Sequence, residues 1–284
     1  MAGSISSRKL LNAITDWIIP AYEKEEARSI AFMILEKVFM ITHRDIISSR
    51  EISLNHNDIL HLNEILQRLI KNEPIQYILG EAFFYDRWFI VNPAVLVPRP
   101  ETEELCRLII RENQDPGLRI LDIGTGSGCI AIVLALNLIA PEIHAWDISQ
   151  DAIVTARANA RKFGIDIEFK VLDLFSITDY SSKFDIIVCN PPYVIADDSV
   201  HMRRNVLYYE PGNAIFVNNE DPLIYYRKIL YLREKLLTLN GKIYFEINES
   251  FGQGMNVLLK ENHMHEVRII RDIHGKERFA TAKL

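Results

Sequence analysis

The run Leu121-Asp122-Ile123-Gly124-Thr125-Gly126-Ser127-Gly128 reads as a glycine-rich turn after an apolar strand and before a helix. Glycines there let the backbone turn sharply and approach a ligand closely, while the next helix presents its N-terminus. The spacing is GxGxG rather than GxGxxG, which departs from the dinucleotide fingerprint and argues against a nicotinamide cofactor. Asp147 closes the following strand 19 residues after Gly128, where a carboxylate can accept hydrogen bonds from both hydroxyls of a ribose. The pair suggests a nucleoside-bearing cofactor; the plain alternative is an ordinary βα turn plus a helix-capping aspartate.

The second constellation is Asn190-Pro191-Pro192-Tyr193, directly after the apolar run 185–189. Ligands of α/β sheets bind outside the carboxyl ends of the strands, which is where this tetrapeptide falls. Its prolines lack N–H donors and stiffen the backbone, so the Pro191 carbonyl is held available beside the amide oxygen of Asn190. Such a pair can hold a planar NH2 group while Tyr193 packs on its flat face, which suits an amide or an exocyclic base amine. A proline-rich turn with a tyrosine lid would show the same letters.

These motifs need a scaffold, and the surrounding pattern supplies one. Apolar runs at 119–123, 143–146, 167–172 and 185–189 alternate with helical stretches at about 129–138 and 152–162. A long helix from about 222 to 237, a strand at 242–247, a helix near 252–260 and two final strands follow. Strands alternating with helices imply a parallel sheet covered on both faces. Upstream, Pro100 with Glu101, Glu103 and Glu104 marks a helix start, since proline fits the first turn and acids favour its positive end. Residues 73–100 are rich in aromatic and β-branched side chains, with Gly80, Pro93 and Pro98, as in extended strands or a hairpin.

Up to Asn72 the apolar spacing is helical. Leu10, Leu11, Ile14, Trp17 and Ile18 precede Pro20; Glu23, Glu25 and Glu26 open a second helix through Met40. Asn57 and Asp58 resemble a cap for a third, with Ile59, Leu60, Leu62, Ile65, Leu66, Leu69 and Ile70 as its wide apolar face. The expected organisation is therefore a helical domain over 1–72, a linker over 73–100 and an α/β domain over 101–284 that carries both constellations. The first region carries nine basic and nine acidic residues. A neutral bundle either stabilises its neighbour or receives a macromolecular partner, and the sequence favours neither.

With 284 residues, 49% hydrophobic and 25% charged, the composition is that of a globular protein. Lysine and arginine total 32 against 38 acids, a net charge of −6, which is not the footprint of a protein gripping long nucleic acid. Cys106, Cys129 and Cys189 form no CxxC pair, so neither a disulfide framework nor a cysteine zinc site is encoded and a reducing, cytoplasmic setting fits. Asp16 interrupts the apolar residues after Arg8 and Lys9, unlike a secretory signal. The longest charge-free run, between Asp122 and Glu142, contains three glycines and is too short in its apolar part to span a bilayer. The eight histidines include no HExxH pattern, and no metal is expected.

Taken in order, the DxGxGxG turn, the ribose aspartate and NPPY resemble the S-adenosylmethionine-dependent amino methyltransferases of the Rossmann-like class. More specifically, the chain resembles the release-factor glutamine methyltransferases, the PrmC/HemK family. EPIQYILG over 73–80, LVPRPETE over 96–103 and Tyr209-Glu210-Pro211 carry the resemblance, with weaker matches at Glu246-Ile247, Gln253-Gly254, Asp272, Gly275 and Arg278. NPPY alone is shared with DNA adenine and RNA methyltransferases; the first two stretches are more specific. Asn248 departs from the family's usual glycine, a change that bears on a local turn.

The resemblance implies an α/β, Rossmann-like methyltransferase domain with a mostly parallel seven-stranded sheet, preceded by a small helical bundle and a β-hairpin linker. It implies S-adenosylmethionine as cofactor, S-adenosylhomocysteine as product and no metal. Gly124, Thr125, Gly126, Ser127 and Gly128 would line its methionine and ribose part, Asp147 hold the ribose hydroxyls, and Asp173 and Leu174 border the adenine. Asn190 would touch the cofactor too, and Asn190, Pro191, Pro192 and Tyr193 would receive a substrate glutamine, with Asn190 and Pro191 as the catalytic pair. Glu101 and Glu103 read as plain helix-start charges. The implied substrate is the glutamine of the GGQ motif in class-I peptide chain release factors, methylated on N5 in support of translation termination, with the helical domain helping to dock it. Two competitors stand: a glutamine of a ribosomal protein, and an amine of a nucleic-acid base. The second would require base extrusion and phosphate neutralisation, against which the acidic balance counts. No stable nucleic-acid or membrane partner is expected, and the chain is expected to act as a monomer.

Overall fold

The computed structural model describes residues 4–178, 180 and 182–284. Its strands are β1 (Ser4–Ser6), β2 (Glu51–Ser53), β3 (Glu81–Phe84), β4 (Arg87–Ile90), β5 (Arg119–Ile123), β6 (Glu142–Asp147), β7 (Glu168–Val171), β8 (Phe184–Cys189), β9 (Val194–Ile195), β10 (Phe216–Val217), β11 (Leu237–Glu246), β12 (His265–Arg271) and β13 (Glu277–Lys283). The helices are α1 (Ser7–Ile18), α2 (Lys24–Phe39), α3 (His43–Ile47), α4 (His56–Ile70), α5 (Ile75–Leu79), α6 (Pro100–Glu112), α7 (Cys129–Asn137), α8 (Gln150–Phe163), α9 (Arg204–Tyr209), α10 (Gly212–Ile215), α11 (Ile224–Tyr231), α12 (Arg233–Leu236) and α13 (Gly252–Glu261). The chain divides into two units: residues 1–80 with 204–209, and residues 81–203 with 210–284.

The first unit is helical, with a small β1–β2 pairing that the apolar spacing does not announce. Leu10, Leu11, Ile14, Ile18, Ile34, Leu35, Ile65 and Leu69 pack into its core. α4 opens earlier than Asn57. Asn55 is the cap: its Oδ1 accepts the Asp58 N–H (3.0 Å) while the Asp58 carboxylate accepts the Asn55 N–H (2.8 Å), a reciprocal box that satisfies two otherwise orphaned donors. Its buried stripe is also narrower than the sequence suggests, being Leu62, Ile65, Leu66 and Leu69; Ile59, Leu60 and Ile70 are exposed. Residues 75–79 form the short helix α5, closed by Gly80 in the left-handed region at φ 73°.

In the second unit, β3 and β4 pair as a hairpin through Tyr85 and Asp86, both at positive φ, the geometry that matches the natural strand twist. The Glu103 carboxylate of α6 accepts the Tyr85 N–H at 2.9 Å and so holds this turn. The main sheet has seven strands in the order β12-β13-β11-β8-β5-β6-β7, with β13 antiparallel to both its neighbours and the other pairings parallel. Alternate residues feed two cores. Ile120, Ile186, Val188 and Tyr244 face α6, α7 and α8 together with Phe84 and Phe89 of the hairpin. Leu121, Ile123, Ile187, Cys189, Ile243 and Phe245 face α11, α12 and α13. Burial on both faces is why the strands read as nearly continuous apolar runs. The helix expected over 222–237 is two short helices, α11 and α12, and Leu237 already belongs to β11.

Chain order in the sheet reverses beside β5: β6 and β7 continue to one side, β8 and β11 to the other. A crevice at the carboxyl ends of the strands is expected at such a switch. Register pairs Ile123 with Cys189 across β5 and β8, so the next residues, Gly124 and Asn190, leave the sheet side by side. All three cysteines are buried and unbridged in this unit. Among the described residues no helix is long and apolar enough to cross a membrane.

Candidate active site

The glycine turn leaves β5 against β6: Gly124 N–H and Thr125 N–H both donate to the Trp146 carbonyl, at 2.8 and 3.0 Å. Gly124, Gly126 and Gly128 all have positive φ. At Gly124 a side-chain Cβ would stand 4.0 Å from the Asn190 carbonyl oxygen, and at Gly126 it would enter open space. Gly128 does a different job. It caps α7 at φ 80°, and a Cβ there would meet Ala156 of α8 at 3.1 Å, so its bareness lets two helices close up. Asp122 supports the turn from beneath, accepting the Thr125 hydroxyl at 2.7 Å. It is fully buried, and burial lifts its carboxyl to about 7.

Asp147 ends β6 at the rim. Its two oxygens accept the Gly126 N–H and the Ser149 N–H, each at 2.9 Å. Burial pushes this carboxyl up from the ordinary range, opposed by the N–H groups of Ser149, Gly126 and Ile148. Each carboxylate oxygen carries two lone pairs, so both can accept again from a ligand's hydroxyls. Asp173 holds the next strand end: its Oδ1 accepts the Phe175 N–H at 2.9 Å and starts a short 3-10 turn over Leu174–Ser176.

NPPY follows β8. The Asn190 amide Nδ2 donates to the Thr102 hydroxyl at 3.3 Å, and that hydroxyl donates to Glu246 Oε2 at 2.7 Å. Among the described residues no hydrogen bond reaches Asn190 Oδ1, which is left as an acceptor. The Tyr193 hydroxyl donates to the other oxygen of Glu246 at 3.0 Å. Burial, with Glu246 beside it, pushes the Tyr193 phenol up, so it keeps its proton as a donor.

A cavity of about 240 Å³ joins these pieces: Gly124, Thr125, Gly126, Ser127, Asp147, Asp173, Leu174, Asn190, Pro191 and Pro192 all line it. Gly128 and Tyr193 do not; the first serves helix packing and the second reaches Glu246. Sequence reasoning missed several walls. Phe175 and Tyr225 meet edge to face, centroids 5.4 Å apart, and both line the cavity with Ile148. The loop before α6 contributes Val95, Leu96 and Arg99. Arg99 Nη2 donates to both oxygens of Glu210 at 2.7 Å, and the Val97 N–H reaches the same carboxylate at 3.3 Å. Asn159 of α8 was also invisible: its Nδ2 donates to the carbonyls of Ser127 and Ile90, and its Oδ1 accepts the Ile90 N–H. Asn248 is not at positive φ, so glycine is not required there; its side chain instead caps a local turn through the Ser250 N–H.

The lining therefore runs from the Asp147 carboxylate at a strand end, through bare backbone, to Asn190 with its Oδ1 as an acceptor and to Pro191. That order fits an elongated ligand with a diol at one end and a reacting centre beside Asn190. Among the described residues no group of three histidine, cysteine or acidic side chains is placed to hold a metal.

A profile described as a methyltransferase domain matches residues 114–258, and one described as a PrmC N-terminal domain matches residues 18–80. The release factor glutamine methyltransferase of Bacteroides thetaiotaomicron is 44% identical over 277 residues, covering 96% of this chain and 99% of its own. The chain belongs to the release factor glutamine methyltransferase family. Another member, from Flavobacterium psychrophilum, is 41% identical over 261 residues, covering 90% of this chain and 92% of its own. Among solved structures, a methyltransferase from Pyrococcus furiosus shares the fold at a TM-score of 0.51 and 16% identity, covering 78% of this chain and 98% of its own. Like its relatives, this family member is thus a methyltransferase, and the seven-stranded, mostly parallel sheet implied by the sequence resemblance is present.

Proposed function

We propose that the protein transfers a methyl group from S-adenosylmethionine to the side-chain amide nitrogen (N5) of the glutamine in the GGQ motif of class-I release factors, in the cytoplasm. The observation that carries this reading is that Asn190 and Pro191 line one cavity with the glycine turn, beside the switch at β5 and β8. Bound there, the cofactor would supply an electrophilic methyl group. Gly124 to Ser127 and Asp147 would hold it through backbone and carboxylate, and Asp173, Leu174, Phe175 and Tyr225, which line the same cavity, would border the flat base.

An amide nitrogen is a poor nucleophile because its lone pair is delocalised, so orientation and electrostatics must supply the catalysis. Asn190 Oδ1 and the Pro191 carbonyl accept the two N–H bonds of the substrate amide and turn its nitrogen toward the methyl group. The same oxygens stabilise positive charge as it grows on nitrogen. As the N–C bond forms, the methyl–sulfur bond would break with its electron pair left on S-adenosylhomocysteine; the amide proton becomes acidic only then and passes to water, so no strong base is required before attack. Mass spectrometry with isotopically labelled S-adenosylmethionine tests the reading, with a purified release factor, a ribosomal fraction and nucleic acid offered in parallel. Label on the GGQ glutamine is expected; label on ribosomal protein or nucleic acid alone would keep the cofactor and overturn the substrate.

A further inference from the structure

Glu246 is buried to 1% exposure and lies outside the cavity lining, yet among the described residues the side-chain hydrogen bond of Asn190 leads through Thr102 to it. It is the last residue of β11, and the register Phe245 to Cys189 sets it next to Asn190, the residue that follows β8. The Tyr226 hydroxyl donates to its carbonyl at 2.8 Å and fixes the backbone. Its two carboxylate oxygens accept from two hydroxyls, Thr102 at 2.7 Å and Tyr193 at 3.0 Å.

A hydroxyl has one proton to give. Thr102 gives it to Glu246, so in its 3.3 Å contact with Asn190 it can only accept. The Asn190 atom at that contact must then be the NH2 group, and the amide oxygen is left for the cavity. Both oxygens of Glu246 already accept from a hydroxyl, one from Thr102 and one from Tyr193, so this side chain accepts at both ends. It therefore sets the direction of the whole relay, from Asn190 through Thr102 into the interior. Glutamine has the same shape but carries a donor at one terminal atom. With it the relay can run either way, and in the reversed sense Asn190 turns its NH2 toward the substrate NH2, donor against donor.

Resting on the methyl-transfer reading above, we propose that Glu246, acting through Thr102, is a positioning residue that keeps the Asn190 oxygen facing the substrate amide. Burying a carboxylate is costly, and burial pushes this one up, opposed by the Thr102 and Tyr193 hydroxyls and the Arg278 charge. A residue serving only to fill space between β11 and α6 would not need to be an acid.

The test uses the full chain with a purified release factor at saturation and measures kcat, cofactor affinity and melting temperature. Glu246→Gln and Thr102→Val are each expected to lower kcat about tenfold, the loss of one oriented hydrogen bond, at unchanged cofactor affinity. The double variant is expected to be no worse than the poorer single, because both cut one relay, and Thr102→Ser is expected to recover most of what Thr102→Val loses. Single variants within twofold of the unaltered protein would overturn the inference. So would losses that multiply in the double variant, or that follow cofactor affinity or melting temperature. Should Glu246→Gln fail to fold, the contrast of valine with serine at 102 decides alone. An unaltered protein that binds cofactor but methylates no release factor would overturn the functional reading itself, and the inference with it.

Discussion

Asp122 supports the glycine turn from a fully buried position, and burial lifts its carboxyl from 3.8 to about 7. The folded state thus binds this proton more tightly than the unfolded chain does. The resulting stability is fully present below about pH 4 and is lost as pH rises through about 7. A shift of this size corresponds to about 4 kcal/mol. Asp122→Asn removes the ionisation, so its melting temperature relative to the unaltered protein is expected to rise between pH 5 and pH 8. A difference that stays flat across that range would show that Asp122 is not the group titrating. At this scale the sequence was legible where chemistry is local. The glycine turn, Asp147 and NPPY announce themselves within a few residues and all reach one cavity except Gly128 and Tyr193. Thr102 and Glu246 fall in stretches that carry the family resemblance but show no role there, and Asn159 shows none at all, because each acts on a partner some 30 to 150 residues away. Nothing in a one-dimensional spacing records a neighbour created by sheet order.

Elements were read best where two strong signals agreed. β5 was expected at 119–123 and occupies those residues, since an apolar run buried on both faces ends at an unmistakable glycine turn. The start of α4 was misplaced because Asn55, Asn57 and Asp58 are all plausible caps by type, and only the reciprocal bonds of Asn55 and Asp58 decide. Within the turn itself, two glycines separate by element. Gly128→Ala would drive a methyl group to 3.1 Å from Ala156 at a positive φ, combining left-handed strain with overpacking between α7 and α8. A loss of about 2 to 4 kcal/mol in denaturant unfolding is expected. Gly126→Ala meets nothing within 4 Å and bears only the backbone strain, about 1 to 2 kcal/mol, at a residue that lines the cavity. Calorimetry should find the larger stability loss in the first variant and the larger cofactor loss in the second; the reverse order would refute this division of labour.

Across the whole molecule, alternation of strands and helices was enough to foresee a covered parallel sheet. The antiparallel β13, inserted between β12 and β11, and the switch beside β5 depend on pairings that the alternation does not encode. The grouping of Arg204–Tyr209 with the first unit was equally hidden, because six residues leave no compositional trace. The cysteines have a practical consequence. All three lie inside the second unit at 8% exposure or less, and the first unit has none. Burial pushes the Cys129 thiol up to about 12 and the other two well above their ordinary value, so the nucleophilic thiolate is scarce as well as shielded. An alkylating reagent is expected to leave the native protein at its unmodified mass, and adducts are expected to accumulate only at the rate at which the second unit opens. Adducts forming faster than the second unit opens, as timed by amide hydrogen exchange, would contradict this. Cys129 and Cys189 line the cavity and Cys106 does not, so labelling of Cys106 times the opening of the catalytic unit alone, and a cysteine engineered onto either surface would be a unique exposed attachment point for a dye.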